Sequence, residues 1–217
     1  MESKYLDEID ELDEIKWTIH MYNYPIVDLD KNNYNELLLS NNKIRIIGNK
    51  MINLTKYTNI IHLNFDHEFN QKVDGLLPPN LTHLMFDGHF NQPINNLPSS
   101  LIYLYFGATS RFNQEINNLP PNLTHLKLSH DFNQSLDQLP QSLIVLILGS
   151  AFNQSLDNLP NSLKSIYIYL RKNYINLEMF PENIIRIYLN GLNGKYLDKI
   201  KNSKFKDRIK HKYFDDF

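Results

Sequence analysis

The sequence predicts a mainly β protein: a parallel-β solenoid of about seven coils with a 20–22-residue period and helical caps at both ends. Three observations predict it. One phrase is written four times in succession, as FNQPINNLPSSLIYLYFG from Phe90, FNQEINNLPPNLTHLKLS from Phe112, FNQSLDQLPQSLIVLILG from Phe132 and FNQSLDNLPNSLKSIYIY from Phe152. Apolar hexads led by Ile60, Leu81, Leu101, Leu123, Leu143, Leu163 and Ile184 recur every 20 to 22 residues, beyond the phrase on both sides. Within a hexad the second half alternates, so Leu84 and Phe86 point one way while His83 and Met85 point the other, as in a strand with one face inward. Such a strand cannot bury its apolar side alone. Stacked at about 4.8 Å per coil, seven of them form a continuous core about 30 Å long.

Residues 1–48 are expected to cap the array. Over residues 3–21, Leu6, Ile9, Leu12, Ile15 and Ile19 fall three to four apart, with Asp7, Glu8, Asp10, Glu11, Asp13 and Glu14 around them. That is the pattern of an acidic amphipathic helix, which covers the end of the core or docks a partner. The stretch NNKIRIIG supplies one more strand before the regular coils. DLDKNNYNE from Asp28 imitates a calcium loop, but Asn33 stands where that loop needs glycine and Leu39 where it needs glutamate, so calcium is not expected.

Residues 49–190 form the array. Phe69, Phe90, Phe112, Phe132 and Phe152 are expected to stack as an internal aromatic column on the side away from the sheet. Asn70, Asn91, Asn113, Asn133 and Asn153 follow them as a buried ladder whose amides satisfy backbone groups freed at a turn. Each LP pair, as at Leu97-Pro98 and Leu139-Pro140, sets an inward anchor and then bars a helix. With about 20 residues per coil, the back of each coil has room for extended or 3₁₀ segments only.

Residues 191–217 read as a basic cap helix. Lys199, Lys201, Lys204, Lys206, Arg208, Lys210 and Lys212 interleave with Ile200, Phe205 and Ile209. Such a helix caps the core or offers a calmodulin-type target. Opposite charge at the two ends also permits weak head-to-tail self-association.

These repeats resemble the FNIP repeat, a short relative of the leucine-rich repeat abundant in social amoebae and in giant viruses of amoebae. The resemblance covers roughly Asn49 to Asn190, with the motif's F-N-x-P written in full at Phe90–Pro93. It implies a leucine-rich-repeat-like solenoid acting as a protein-interaction module. The LPxSLxxLxL half is similar to the short leucine-rich repeats of bacterial effectors, some of which carry a cysteine-dependent ubiquitin ligase domain. Some FNIP-repeat proteins begin with an F-box, but YLDEIDELDEIKWTIHMYNYPIVDLD lacks its Leu-Pro opening, so an adaptor role would rest on other residues.

Composition narrows the chemistry. The 217 residues carry 22 basic and 24 acidic side chains, a balance that gives no pull toward nucleic acid. No apolar run reaches the length of a membrane span, and the acidic start is no signal peptide. There is no cysteine, which removes disulfides and thiolate catalysis together. The sequons at Asn80, Asn133 and Asn153 are read as by-products of the repeat, with the latter two expected in buried ladder positions. The expected compartment is intracellular, the cytoplasm, or the host cytoplasm for a viral protein. No phosphate loop, HExxH or GxSxG is present, so neither enzymatic activity nor a cofactor is expected.

The outward face of the sheet is the expected docking surface for a protein partner, whose identity the sequence does not reveal. One column there holds His62, His83, Tyr103, His125, Val145, Ser165 and Arg186; the other holds Asn64, Met85, Tyr105, Lys127, Ile147, Tyr167 and Tyr188. Tyrosine, methionine and arginine are enriched in interfaces, and Val145 and Ile147 are expected to form an exposed apolar centre. The alternative is a structural, self-associating solenoid.

Overall fold

A computed structural model describes residues 23–31, 33–107, 109–169, 180–190 and 202–211. Each coil contributes one short strand from its hexad, and consecutive strands pair in parallel because a coil of near-constant length returns the chain to the same edge. Among the described residues the strands are β1 (Ile26–Asp28), β2 (Lys43–Ile47), β3 (His62–Phe65), β4 (His83–Phe86), β5 (Tyr103–Phe106), β6 (His125–Lys127), β7 (Val145–Leu148), β8 (Ser165–Tyr169), β9 (Arg186–Asn190) and β10 (Ile209–His211). They form one sheet in sequence order. One helix among these residues, α1 (Tyr34–Ser40), lies between β1 and β2.

The inward residues are the predicted ones. Leu63, Leu84, Leu104, Leu126, Leu146, Ile166 and Ile187 stand in register across seven strands and are buried. The hexad leaders from Ile60 to Ile184 are buried with them. Behind the sheet, each LP turn closes with a bond from the residue three places on, as in Leu101 N to Pro98 O at 3.1 Å and Leu143 N to Pro140 O at 3.1 Å.

The aromatic column forms, in a different place from the one expected. Phe69, Phe90, Phe112, Phe132 and Phe152 stack with centroid separations of 6.0 to 6.4 Å. They do not lie across the core from the sheet; they pack on the residues that end the strands, Phe65, Phe86 and Phe106, at 4.0, 3.7 and 4.0 Å. The FNQ segment follows its strand after three to five residues, so its ring cannot travel to the far wall. The result is a double column at the strand ends.

The asparagine ladder is half-buried rather than buried, and Asn153 is exposed. Its bonds run between coils. Asn91 Oδ1 accepts from the backbone N of Asn113 at 2.9 Å and from Nε2 of Gln114 at 3.0 Å. Asn70, Asn113 and Asn133 do the same for the next coil, and Asn49 starts the series. The glutamine of FNQ therefore has a role, gripping the asparagine one coil back. Asn91→Ala is expected to strand the Asn113 N–H and lower stability by about 1–3 kcal/mol. Asn91→Asp, which keeps the acceptor, should lose less. Urea unfolding of both variants, with amide exchange at Asn113, checks this.

A second ladder precedes each hexad. Ser100 Oγ donates to Pro79 O at 2.9 Å and Leu81 O at 2.7 Å, while Ser142 and Ser162 donate to Leu123 O and Leu143 O. Asn59, Asn80 and Asn122 donate to the coil before through Nδ2. Coils also approach closely at glycine. A Cβ on Gly149 would collide with the carbonyl O of Ser129 and sit 2.6 Å from Cα of His130. Both are backbone atoms of the preceding coil, so Gly149→Ala is expected to force the coils apart and cost about 1–3 kcal/mol, read as a lowered Tm.

At the ends the fold departs from expectation. The sheet already begins at Ile26, inside the segment expected to be cap, and α1 occupies part of the calcium-like stretch. There Lys50 Nζ binds Asp30 Oδ1 at 2.9 Å. Residues 3–21 lie outside the described residues. Of the expected C-terminal helix, residues 202–208 form turns and Ile209–His211 form β10, paired with β9. Phe205 and Ile209 are buried, with Phe205 edge-on to Phe180 at 6.0 Å. The basic residues are used locally: Lys204 Nζ binds Glu182 at 2.6 Å, and Arg208 Nη1 donates to Glu182 O and Ile184 O. Apolar residues four apart suit a helix, but Phe205 and Ile209 serve here as core anchors of one more coil.

Candidate functional site

The outer face of the sheet carries both predicted columns in unbroken register. His62, His83, Tyr103, His125, Val145, Ser165 and Arg186 are successive partners, as are Asn64, Met85, Tyr105, Lys127, Ile147, Tyr167 and Tyr188. The β2 residues Lys43 and Arg45 extend the two columns by one strand. Sequence reasoning left them out of the face, although the alternation in KIRII carried the signal.

The first column is a stack of rings. His62 and His83 lie 3.8 Å apart, His83 and Tyr103 4.3 Å, and Tyr103 and His125 4.3 Å. Thr82 and Thr124 fix two of the imidazoles through Nδ1, at 2.8 and 2.7 Å. The His62 ring is pushed down to a pKa of about 4, first by burial and then by the charge of Lys43. Burial foremost, with His62, Lys43 and His125 adding to it, takes His83 to about 3. These rings stack face to face instead of converging on a point. Among the described residues no group of three or more His, Asp or Glu is placed to hold a metal. Nor is any described helix long and apolar enough to cross a membrane.

The expectation of an exposed apolar centre is corrected. Val145 is 7% exposed and Ile147 5%, while Met85, Tyr105, Tyr167 and Tyr188 are between 2% and 7%. Val145, Ile147, Tyr167 and Tyr188 pack as one cluster, with the Tyr167 and Tyr188 rings stacked at 4.2 Å. His83, Tyr103, His125 and Lys127 are half-buried. Tyr24 accounts for part of this closure. It lies just before β1, packs with Met85 and Tyr105, and its hydroxyl meets His62 Nδ1 at 2.8 Å. Burial raises the Tyr24 pKa to about 12. Asn64, beside these residues, is 1% exposed, and its Oδ1 has no hydrogen-bond partner among the described residues. Tyr24 lies outside every hexad, and only the turn-forming Tyr-Pro pair marks it in the sequence.

One strand per coil of 20 to 22 residues, ordered inward side chains and a ladder between coils together define a parallel-β solenoid of the leucine-rich-repeat type. The chain carries FNIP repeats: the FNIP Repeat family model matches residues 69–109, 112–151 and 132–170. Among solved structures it is similar to CroV588 from a giant virus, described as a novel circular LRR protein structure, with 30% identity and a TM-score of 0.51 over 75% of this chain. The match spans about a third of that protein, 32% of its length. No curated protein matches the chain.

Proposed function

We propose that the chain is a non-enzymatic protein-interaction module that engages its partner through the outer face of the sheet. The observation that carries this is the contrast between the two sides of the same strands. From β3 to β9 the inward positions hold Leu, Ile or Phe in every coil, whereas the outward ones change from His to Tyr, Val, Ser and Arg, or from Asn to Met, Tyr, Lys and Ile. A face whose only duty was to bear solvent would be polar. This one concentrates rigid aromatic rings and apolar side chains of the kind that bury area on association.

The test compares affinity purification from amoebal lysate with wild-type bait and with a variant carrying Tyr103→Ala, Tyr105→Ala, Tyr167→Ala and Tyr188→Ala. The variant must first give an unchanged circular dichroism spectrum. Proteins lost with the variant, and binding the wild type directly when purified, support the sheet face. Ubiquitin-ligase subunits among them would assign an adaptor role. Equal recovery with both baits overturns the reading.

A further inference from the structure

We propose that the solenoid is an arc whose two ends join copies of this chain head to tail into a closed ring, with the outer sheet face lining the hole. The proposal concerns what the ends do, and it stands whether or not that face also binds another protein.

Curvature is written in the spacing of the rings. On the outer face the steps from coil to coil are 3.8 Å for His62–His83, 4.3 Å for His83–Tyr103, 4.3 Å for Tyr103–His125 and 4.2 Å for Tyr167–Tyr188. On the inner side of the same sheet, Phe65–Phe86 and Phe86–Phe106 are 5.3 and 5.8 Å apart. The FNQ phenylalanines packed on these rings step by 6.0 to 6.4 Å. Stacking attraction acts on every one of these columns, so it does not explain why only the inner ones stand apart. Wedge-shaped coils do: each is thinner on the outer face than behind it, so the stack bends toward that face. Ring layers on the two sides of a sheet lie about 10 Å apart, so a step that widens by about 1.4–2 Å turns the stack by roughly 8–11° per coil. A full circle then takes roughly 33–45 coils, or about three to five arcs of ten strands.

The two ends are complementary. Among the described residues, β1 has β2 as its neighbour in the sheet and β10 has β9. An outward residue turns its N–H and C=O toward the preceding coil, as Arg45 N does in donating to Pro25 O at 3.0 Å. An inward residue turns them toward the following coil, as Ile187 N does in donating to Arg208 O at 2.9 Å. Ile26, outward beside Arg45, therefore aims its N–H and C=O out of the first edge, and Ile209, inward beside Ile187, aims its own out of the last. Placed as one more coil, Ile26 N–H of one copy meets Ile209 C=O of the copy before it, and every inward column stays inward. Ile26 is 54% exposed, whereas the outward residues from β3 to β8 are buried or half-buried. Charge sets the polarity. Over residues 23–42 the described charges are Asp28, Asp30 and Glu36 against Lys31; over 202–209 they are Lys204, Lys206 and Arg208 against Asp207. Unlike ends attract and like ends repel, which favours head-to-tail joining. Such an interface is heterologous, and a constant turn per copy closes it into a ring.

Sedimentation velocity and light scattering on the purified full-length chain at low salt are expected to give one discrete oligomer of about three to five copies. Negative-stain microscopy should show it as a ring, and raised salt should return it to monomer. Ile26→Pro removes the N–H at the first edge and leaves β1 on β2, because that pairing uses Pro25 O. It is expected to be monomeric. Since that variant could also fail to fold, Lys206→Glu changes an exposed residue outside the core. It is expected to weaken assembly at least tenfold with an unchanged circular dichroism spectrum. A wild-type monomer at every concentration overturns the proposal, as does a dimer that grows no further or a polymer without a size limit. So does an oligomer that survives both substitutions, since its junction would lie elsewhere. None of these readouts involves another protein, so they can fail while the partner-capture experiment succeeds, and the reverse.

Discussion

Phe90→Ala is expected to lower the free energy of unfolding by about 3–5 kcal/mol, the largest loss from any single truncation in the array. Phe90 is fully buried and belongs to two stacks at once. It lies 3.7 Å from Phe86 of its own coil, and 6.0 and 6.1 Å from Phe69 and Phe112 in the coils on either side. The walls cannot collapse into the vacated space, because strand pairing on one side and the asparagine ladder on the other hold the coil spacing. The cavity persists, so the full penalty is felt. A solenoid's stability is close to a sum of coil and nearest-neighbour terms. Losing both neighbour terms at one coil should therefore also break the cooperativity. Chemical denaturation followed by circular dichroism is expected to change from one transition to two, with a midpoint well below wild type. Phe90→Leu, which refills much of the volume, should keep one transition.

What could be read from the sequence was whatever repeats. The period places Leu84 beside Leu104 and His83 beside Tyr103, because parallel coils of near-equal length leave one register available. The inward columns followed from alternation alone. Two kinds of feature did not follow. One is where a ring lies when its backbone turns: the sequence reads Phe90 as far wall, and the short link from Phe86 holds it at the strand end instead. The other is anything outside the period. Tyr24 and α1 have no counterparts in other coils, and the C-terminal strand is disguised by lysines that look helical. The candidate face was legible in its membership but not in its state. Ile147 and Tyr105 pack on residues of other coils and on Tyr24, and no property of their own hexads encodes that.

Lowering the pH from 7 to 4 is expected to destabilise the fold steeply, through the stacked histidines of the outer face. His62 has a native pKa of about 4 and His83 of about 3, against about 6.5 for an unfolded histidine. Above pH 6.5 both rings are neutral in either state and nothing is lost. Between pH 6.5 and about 4 the unfolded chain binds protons that the folded one refuses, so stability falls as pH falls. Each histidine contributes up to about 1.4 kcal/mol per pH unit in that window. For His62 the loss levels off near pH 4, and for His83 near pH 3. The groups around them favour the neutral form: Lys43 and His125 share the column, and Tyr24 meets His62 Nδ1 through a hydroxyl whose own pKa is raised. Carboxylates act in the same direction but lower on the scale. Asp137, held down by hydrogen bonds from Asn158 and Ser135, and Glu182, held down by Lys204, lose their contribution only as the pH passes through the acid range of a carboxylate. The two sources therefore separate in a plot of Tm against pH. Wild type should decline from pH 6.5 downward, whereas His62→Gln should flatten the limb down to about pH 4 and His83→Gln down to about pH 3, each leaving the part below that pH unchanged. Phe90→Leu, destabilised without touching either ring, should lie lower at every pH and keep the wild-type slope, which ties the upper limb to proton uptake at the two imidazoles and not to weakened packing.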